Sequence, residues 1–211
     1  MIMARPNGSI AGVLFLVAGT QFLLGLIVAE ASYPGFNLTG NYISDLGVGP
    51  SSAVFNTSAF LFGLLSLIAT YFLSRIVDFR CLIAMLGLMA IGAMGVGIIT
   101  SEFTQIHGGV ALMAFWFGGL SAIASVRITR MPFSAISVAL GVMTLGALAL
   151  FAGGIVATGS LTSSEPPPAS EFFLGIGAGG MEHMIVYPAL IWLILFSGRL
   201  IALSERQEYP K

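Results

Sequence analysis

Residues 81–100 read CLIAMLGLMAIGAMGVGIIT, twenty positions with no charged side chain. A helix rises about 1.5 Å per residue, so a run of about 20 apolar residues matches the ~30 Å hydrocarbon core of a bilayer. Five further apolar runs of this kind lie at about 10–30, 53–73, 108–126, 133–158 and 181–203. Inside hydrocarbon the backbone amides must be bonded within the segment, and none of these runs shows the short alternating strands of a membrane barrel. The sequence therefore predicts an all-α polytopic bundle of six transmembrane helices forming a single membrane domain over 1–211. The first run follows Arg5 and ends near Ala29-Glu30-Ala31, which loosely resembles a secretory signal, but its length reads as a span.

Composition agrees. The chain is 57% hydrophobic and 8% charged, against roughly 25% charged for soluble domains, so lipid must be its solvent. Eight Lys and Arg scattered over the chain make no basic patch for nucleic acid. Cys81 is the sole cysteine, which rules out an intrachain disulfide and a cysteine metal cage.

The breaks between runs set the orientation. Arg75, Arg80, Arg127 and Arg130 sit in two tight turns, and Arg5, Arg199, Arg206 and Lys211 lie toward the two ends. With six spans all of them fall on one side, which the positive-inside bias makes cytoplasmic, giving a cell-membrane protein with both termini inside. The long loops then face out. Residues 31–52 hold Tyr33-Pro34-Gly35 and Gly49-Pro50 and are expected to cap the bundle mouth, with Phe36, Leu38, Tyr42, Ile43 and Leu46 buried beneath. Residues 159–180, with Pro166-Pro167-Pro168 and a Gly-rich stretch, read as a flexible lid or spacer. Ala93 with Gly97, and Ala114, Gly118 and Ala122, form small-residue stripes predicted to pack helix on helix; the alternative is a homo-oligomer contact.

Ionisable groups near a span are costly and are functional candidates by default. Glu30, Glu102, His107, Glu182 and His183 fall at the outer ends of spans, with Ser44 and Asp45 in the first outer loop. Glu182 alone could be a helix-start carboxylate meeting the macrodipole, and Glu30, Glu165 and Glu171 are expected to be solvated rim charges. His183 has Tyr187 one turn below it, and Pro188 cannot donate to the carbonyl of Met184. The chain's two histidines are expected to approach one another with an acid in one polar site.

The segment Asn41-Tyr42-Ile43-Ser44-Asp45-Leu46-Gly47, then Gly49-Pro50, Phe55-Asn56, His107-Gly108-Gly109 and Glu182 to Pro188, resembles a prokaryotic membrane-protein family catalogued as domain of unknown function 998. That resemblance implies a multi-span bundle with polar residues at one membrane face. More distantly, Ser44, Asp45, His107 and His183 are similar to part of the site of alkaline ceramidase and adiponectin-receptor type membrane hydrolases. In that group three histidines hold a zinc beside an Asp and a Ser. This chain has two histidines, so a zinc would need Glu102, Asp45 or Glu182 as third ligand.

The leading expectation is a metal-assisted hydrolase or transferase acting on a membrane lipid or other amphiphile. His107, His183 and Glu102 would hold zinc, Asp45, Glu182 and Ser44 would act in catalysis, and Asn41, Asn56 and Tyr187 would orient substrate. The alternative is a transporter or binding protein for a small cation or amphiphile, with Gln21 and Asn56 along its path. Two histidines at one depth also admit bis-histidine haem, and a purely structural protein is the remaining reading.

Overall fold

The computed structural model describes residues 5–160 and 169–208. Six helices account for most of them: α1 Arg5–Ser32, α2 Ser52–Ser74, α3 Arg80–Ile98, α4 Thr104–Ala124, α5 Phe133–Ala157 and α6 Gly177–Glu208. All six are long and apolar enough to cross a membrane, and no strand occurs among the described residues. Large apolar side chains such as Leu24, Ile91, Val142 and Ile191 lie exposed on their outer faces. In water such faces would be an aggregation liability, whereas in a bilayer they meet lipid tails. The protein is a multi-pass integral membrane protein.

Helices consecutive in sequence pack side by side, and α6 returns to pack on α1, so the six form a closed ring with α4 also touching α6. Close approach is bought by glycine. A Cβ on Gly63 would lie 2.5 Å from the Ala90 carbonyl oxygen and the Met94 amide, and one on Gly92 would lie 2.6 Å from the Ala114 amide. Gly97, in one of the stripes expected to pack, meets the Asn56 carbonyl and the Phe60 amide of α2 at 2.6 Å in the same sense. Gly118, in the other stripe, differs: a Cβ there would have its nearest neighbours at 3.7 Å or more, in ordinary van der Waals contact with Met89 and Ala189.

One end of the ring carries Arg75, Arg80, Arg127 and Arg130, here called the basic end. Arg75 lies over the Tyr71 ring at 5.4 Å and Arg127 over Phe79 at 5.2 Å, a stacking typical of guanidinium groups on aromatic faces.

The other end is closed by the segment 33–51, the cap. It turns at Gly35, winds a short 3-10 segment over Ile43–Gly47, and buries Ile43 and Leu46 in the main core. Asn56 Nδ2 of α2 donates to the Gly47 carbonyl at 2.9 Å and so holds the cap down, while Ser51 Oγ donates to the Leu46 carbonyl at 3.3 Å within the cap. Phe36 packs against the core, but Leu38, expected beneath the cap, is exposed.

Two expectations about the second long connection change. Its Gly-rich end is helix: α6 begins at Gly177, and a Cβ on Gly179 would sit 2.0 Å from the Asn41 carbonyl oxygen. The glycines serve close packing of the α6 start against the cap, where sequence reading took them for a loop. Phe173 is also buried, lying over Gly154 of α5, so this part of the connection is anchored and is no free lid. The Glu165 and Pro166-Pro167-Pro168 expectations lie outside the described residues.

Candidate functional site

A cavity with about 700 Å³ of empty space, part of it open at the mouth, runs inside the ring. Its wall is almost wholly apolar, built from Phe22, Phe55, Phe62, Met89, Val96 and Leu190 among others, with small side chains at Ala59, Ala93, Ala114, Gly118 and Ala189. The polar exceptions are Ser44, His107 and Glu182. All three belong to the capped end: Ser44 to the cap, His107 to the first turn of α4, and Glu182 to the second turn of α6.

Each is held in place. Glu182 Oε2 accepts the Ile43 amide at 2.6 Å, and the Ser44 amide also donates to this carboxyl. Two successive cap amides thus converge on a buried acid from the far end of the chain. His107 is buried and its Nδ1 donates to the Ile99 carbonyl at 2.5 Å, which places a proton on Nδ1. Nε2 is then the nitrogen left for chemistry on a side chain lining the cavity. The Ser44 carbonyl accepts Ser101 Oγ at 3.4 Å, tying the cap to the α3–α4 connection.

Asp45 does not line the cavity. Its Oδ2 accepts the Tyr42 amide at 2.9 Å and Asn41 Nδ2 at 3.3 Å, closing the turn that presents Ile43 and Ser44 to Glu182. Burial pushes the Asp45 carboxyl up, outweighing the lowering by the Asn41 and Tyr42 bonds. The Tyr42 hydroxyl is pushed far up too, by burial first and then by the Glu182 and Asp45 carboxyls. Asn41 and Asn56, expected to orient substrate, are engaged in the cap itself and are absent from the cavity wall.

His183 belongs to a second polar group. Its Nδ1 contacts the Gly179 carbonyl at 2.8 Å and its Nε2 contacts Glu30 Oε1 at 3.0 Å. Tyr187 donates to the same Glu30 oxygen at 3.4 Å. Glu30, expected as a solvated rim charge, instead joins α1 to α6 in a half-buried network. Both ring nitrogens of His183 are thus engaged by oxygens.

These placements bear on zinc. His183 has neither nitrogen spare, Glu102 is exposed and accepts from Thr100 Oγ1 at 3.3 Å, and His107 offers one nitrogen alone. Among the described residues no three His, Cys, Asp or Glu side chains gather to hold a metal ion. The donor set expected from His107, His183 and Glu102 therefore does not fit zinc, and an engaged His183 does not fit haem ligation either. The two histidines serve different polar groups, one in the cavity wall and one between α1 and α6.

Sequence reasoning missed Glu30 as a partner and the cavity itself. A signal for the cavity was present: Ala59, Ala93, Gly118 and Ala189 are small residues on four different spans. Their common inward direction cannot be read without the relative rotation of the helices.

A ring of six membrane-crossing helices, five of which line an apolar cavity with a histidine and an acid at its capped end, defines the class of protein. The chain belongs to the family described as protein of unknown function (DUF998), whose pattern matches residues 16–199. No curated protein and no solved structure matches it. The more distant likeness to ceramidase-type hydrolases gains no support from these comparisons, and the metal-ligand geometry above gives none.

Proposed function

We propose that the protein binds an amphiphile with its tail in the cavity and its polar end at His107, Glu182 and Ser44, and acts on it as a membrane-embedded hydrolase. The observation that carries this is a buried His107 whose Nδ1 is taken up by the Ile99 carbonyl, leaving Nε2 for chemistry in the same apolar cavity as the amide-anchored Glu182. A neutral histidine with one lone pair free is the usual general base near neutral pH. Nε2 takes a proton from water as the water oxygen bonds to the carbonyl carbon of an ester or amide. It returns that proton to the departing oxygen or nitrogen as the old bond breaks, giving acid plus alcohol or amine. Glu182 accepts a donor of the substrate's polar end and holds it in register. The Ser44 hydroxyl is a second polar contact at the same end.

The transporter alternative draws less support. Gln21, expected along a path, donates to the Ala18 carbonyl at 3.2 Å and the Ser58 carbonyl at 3.0 Å, and so is engaged in α1–α2 packing.

The test is release of free acid from long-chain esters and amides by purified protein in lipid nanodiscs. His107→Ala should lower the rate by about 10²–10⁴-fold, the usual worth of a positioned acid–base group. Glu102→Gln should leave it unchanged. Turnover that survives His107→Ala in a folded protein would sink the hydrolase reading.

The orientation is part of the same reading: both termini cytoplasmic and the cap outside, in the cell membrane. It is supported by Arg75, Arg80, Arg127, Arg130 and Arg199 sharing the end opposite the cap. On a Cys81→Ser background, Gly40→Cys and Ala169→Cys should react with an impermeant thiol reagent on intact cells, and Asp78→Cys should not. Labelling at Asp78 alone would reverse the orientation.

A further inference from the structure

The cavity constrains more than the presence of a tail. We infer that its ligand is an amphiphile with a tail of about ten to thirteen carbons and an uncharged or cationic, hydrogen-bond-donating head; this rests on the function proposed above for the same site.

Length follows from helix rise. Along α6 the wall runs from Glu182 to Leu190 and along α4 from His107 to Gly118, which at 1.5 Å per residue is about 12–16 Å of depth. An extended hydrocarbon advances ~1.25 Å per carbon, from a ~1.5 Å bond and tetrahedral angles, so about ten to thirteen carbons span it. The inner limit is set where Gly118, Met89 and Ala189 face one another. A Cβ on Gly118 would lie 3.7 Å from Met89 Cγ and 3.9 Å from Ala189 Cβ.

Head chemistry follows from what surrounds it. The cavity wall contains no Lys or Arg, and Arg75, Arg80, Arg127, Arg130 and Arg199 lie toward the other end of the helices. His107 Nε2 and Glu182 offer acceptors. A phosphate or carboxylate head would bring its charge into an apolar wall with no cation to offset it, whereas hydroxyls or an amine would donate to the acceptors there.

The experiment is a chain-length series. Monoacylglycerols of 8 to 18 carbons are titrated into the protein in nanodiscs of two-chain lipid, and binding is read by native mass spectrometry and thermal shift. Affinity should rise roughly fourfold per added methylene up to the limit, as burial of each apolar carbon requires, and then stop rising or fall near twelve carbons. Ala189→Leu should move that limit to shorter chains by two or three carbons. Gly118→Ala, for which there is room, should fold normally and move it by about one carbon, since one methyl advances the floor by about one bond length. The fatty acid and the alkyl phosphate of the best length should bind at least tenfold more weakly.

Affinity that climbs steadily to eighteen carbons, or a limit that both variants leave in place, would overturn the tail assignment. Equal binding of the alkyl phosphate would overturn the head assignment. A clear length limit without turnover would remove the hydrolase reading while leaving the ligand class intact, and turnover indifferent to chain length would do the reverse.

Discussion

Replacing Gly179 by alanine should destabilise the protein, although the same exchange within a helix ordinarily helps. A helical Gly→Ala exchange gains about 1 kcal/mol from propensity. At Gly179 the new Cβ would stand 2.0 Å from the Asn41 carbonyl oxygen and 2.6 Å from that of Leu38, where ordinary contact begins near 3.4 Å. Both obstacles are backbone, so the cap must move by more than an ångström. Overpacking of this kind costs about 1–3 kcal/mol. Cap movement also draws the Ile43 amide off Glu182, which leaves a buried carboxyl short of a donor at a further cost of about 1–3 kcal/mol. The net is a loss of about 1–5 kcal/mol, or about 2–20 °C in melting temperature for a chain of this size. Gly118→Ala provides the control, because its Cβ meets only ordinary van der Waals contacts and should raise the melting temperature by about 2–4 °C. Thermal unfolding of both variants in the same nanodiscs, followed by circular dichroism, reads the contrast. Gly179→Ala melting at or above the wild type would refute the close packing of the α6 start on the cap.

Two further outcomes concern the polar groups. Because burial raises the Asp45 carboxyl above its ordinary 3.8, the folded state holds that proton to higher pH than the unfolded chain. Its contribution to stability is complete below 3.8 and is lost as pH rises through the raised folded value. Asp45→Asn keeps an oxygen for the Tyr42 amide, so it should flatten the pH dependence of melting across the acidic range; an unchanged slope would show that Asp45 is not its source. For the α1–α6 network, Glu30→Gln and His183→Ala should each cost about 1–3 kcal/mol, and together about 1 kcal/mol less than their sum. Strict additivity in chemical unfolding would mean that the 3.0 Å contact between them carries no coupling.

The six helices were legible because each announces itself locally, by an apolar run of the right length between arginine-bearing turns or Gly-Pro loops. Helix bounds were less so: Gly177 to Gly180 look like loop in one dimension, and only their closeness to residues 38–41 explains why glycine begins a helix there. The site was legible in part. Ser44, His107 and Glu182 were named as chemistry-bearing from their cost near a membrane, and they line one cavity. What could not be read was partnership. His183 and His107 sit at the same depth, but which side of its helix each imidazole takes depends on helix rotation, and rotation is fixed by long-range packing of apolar faces that look alike in sequence. Glu30 was misjudged for the same reason, since a carboxylate at a span's end reads as solvated until the histidine of another helix is seen beside it.

The bond between the Ile43 amide and Glu182 joins positions 139 residues apart, and this sets an order on biogenesis. At about 5–20 residues per second of synthesis, the cap is made roughly 7–30 s before the acid that anchors it emerges. During that interval the first five helices form an open arc, with α1 lacking the neighbour that closes the ring and the cavity unsealed along one side. Insertion of α6 then does three things at once: it closes the circle, supplies Glu182 to the waiting cap amides, and brings His183 to Glu30. A chain truncated before α6 should therefore enter the membrane as five helices yet hold no cavity and no ordered cap, and it would be a natural substrate for membrane quality control.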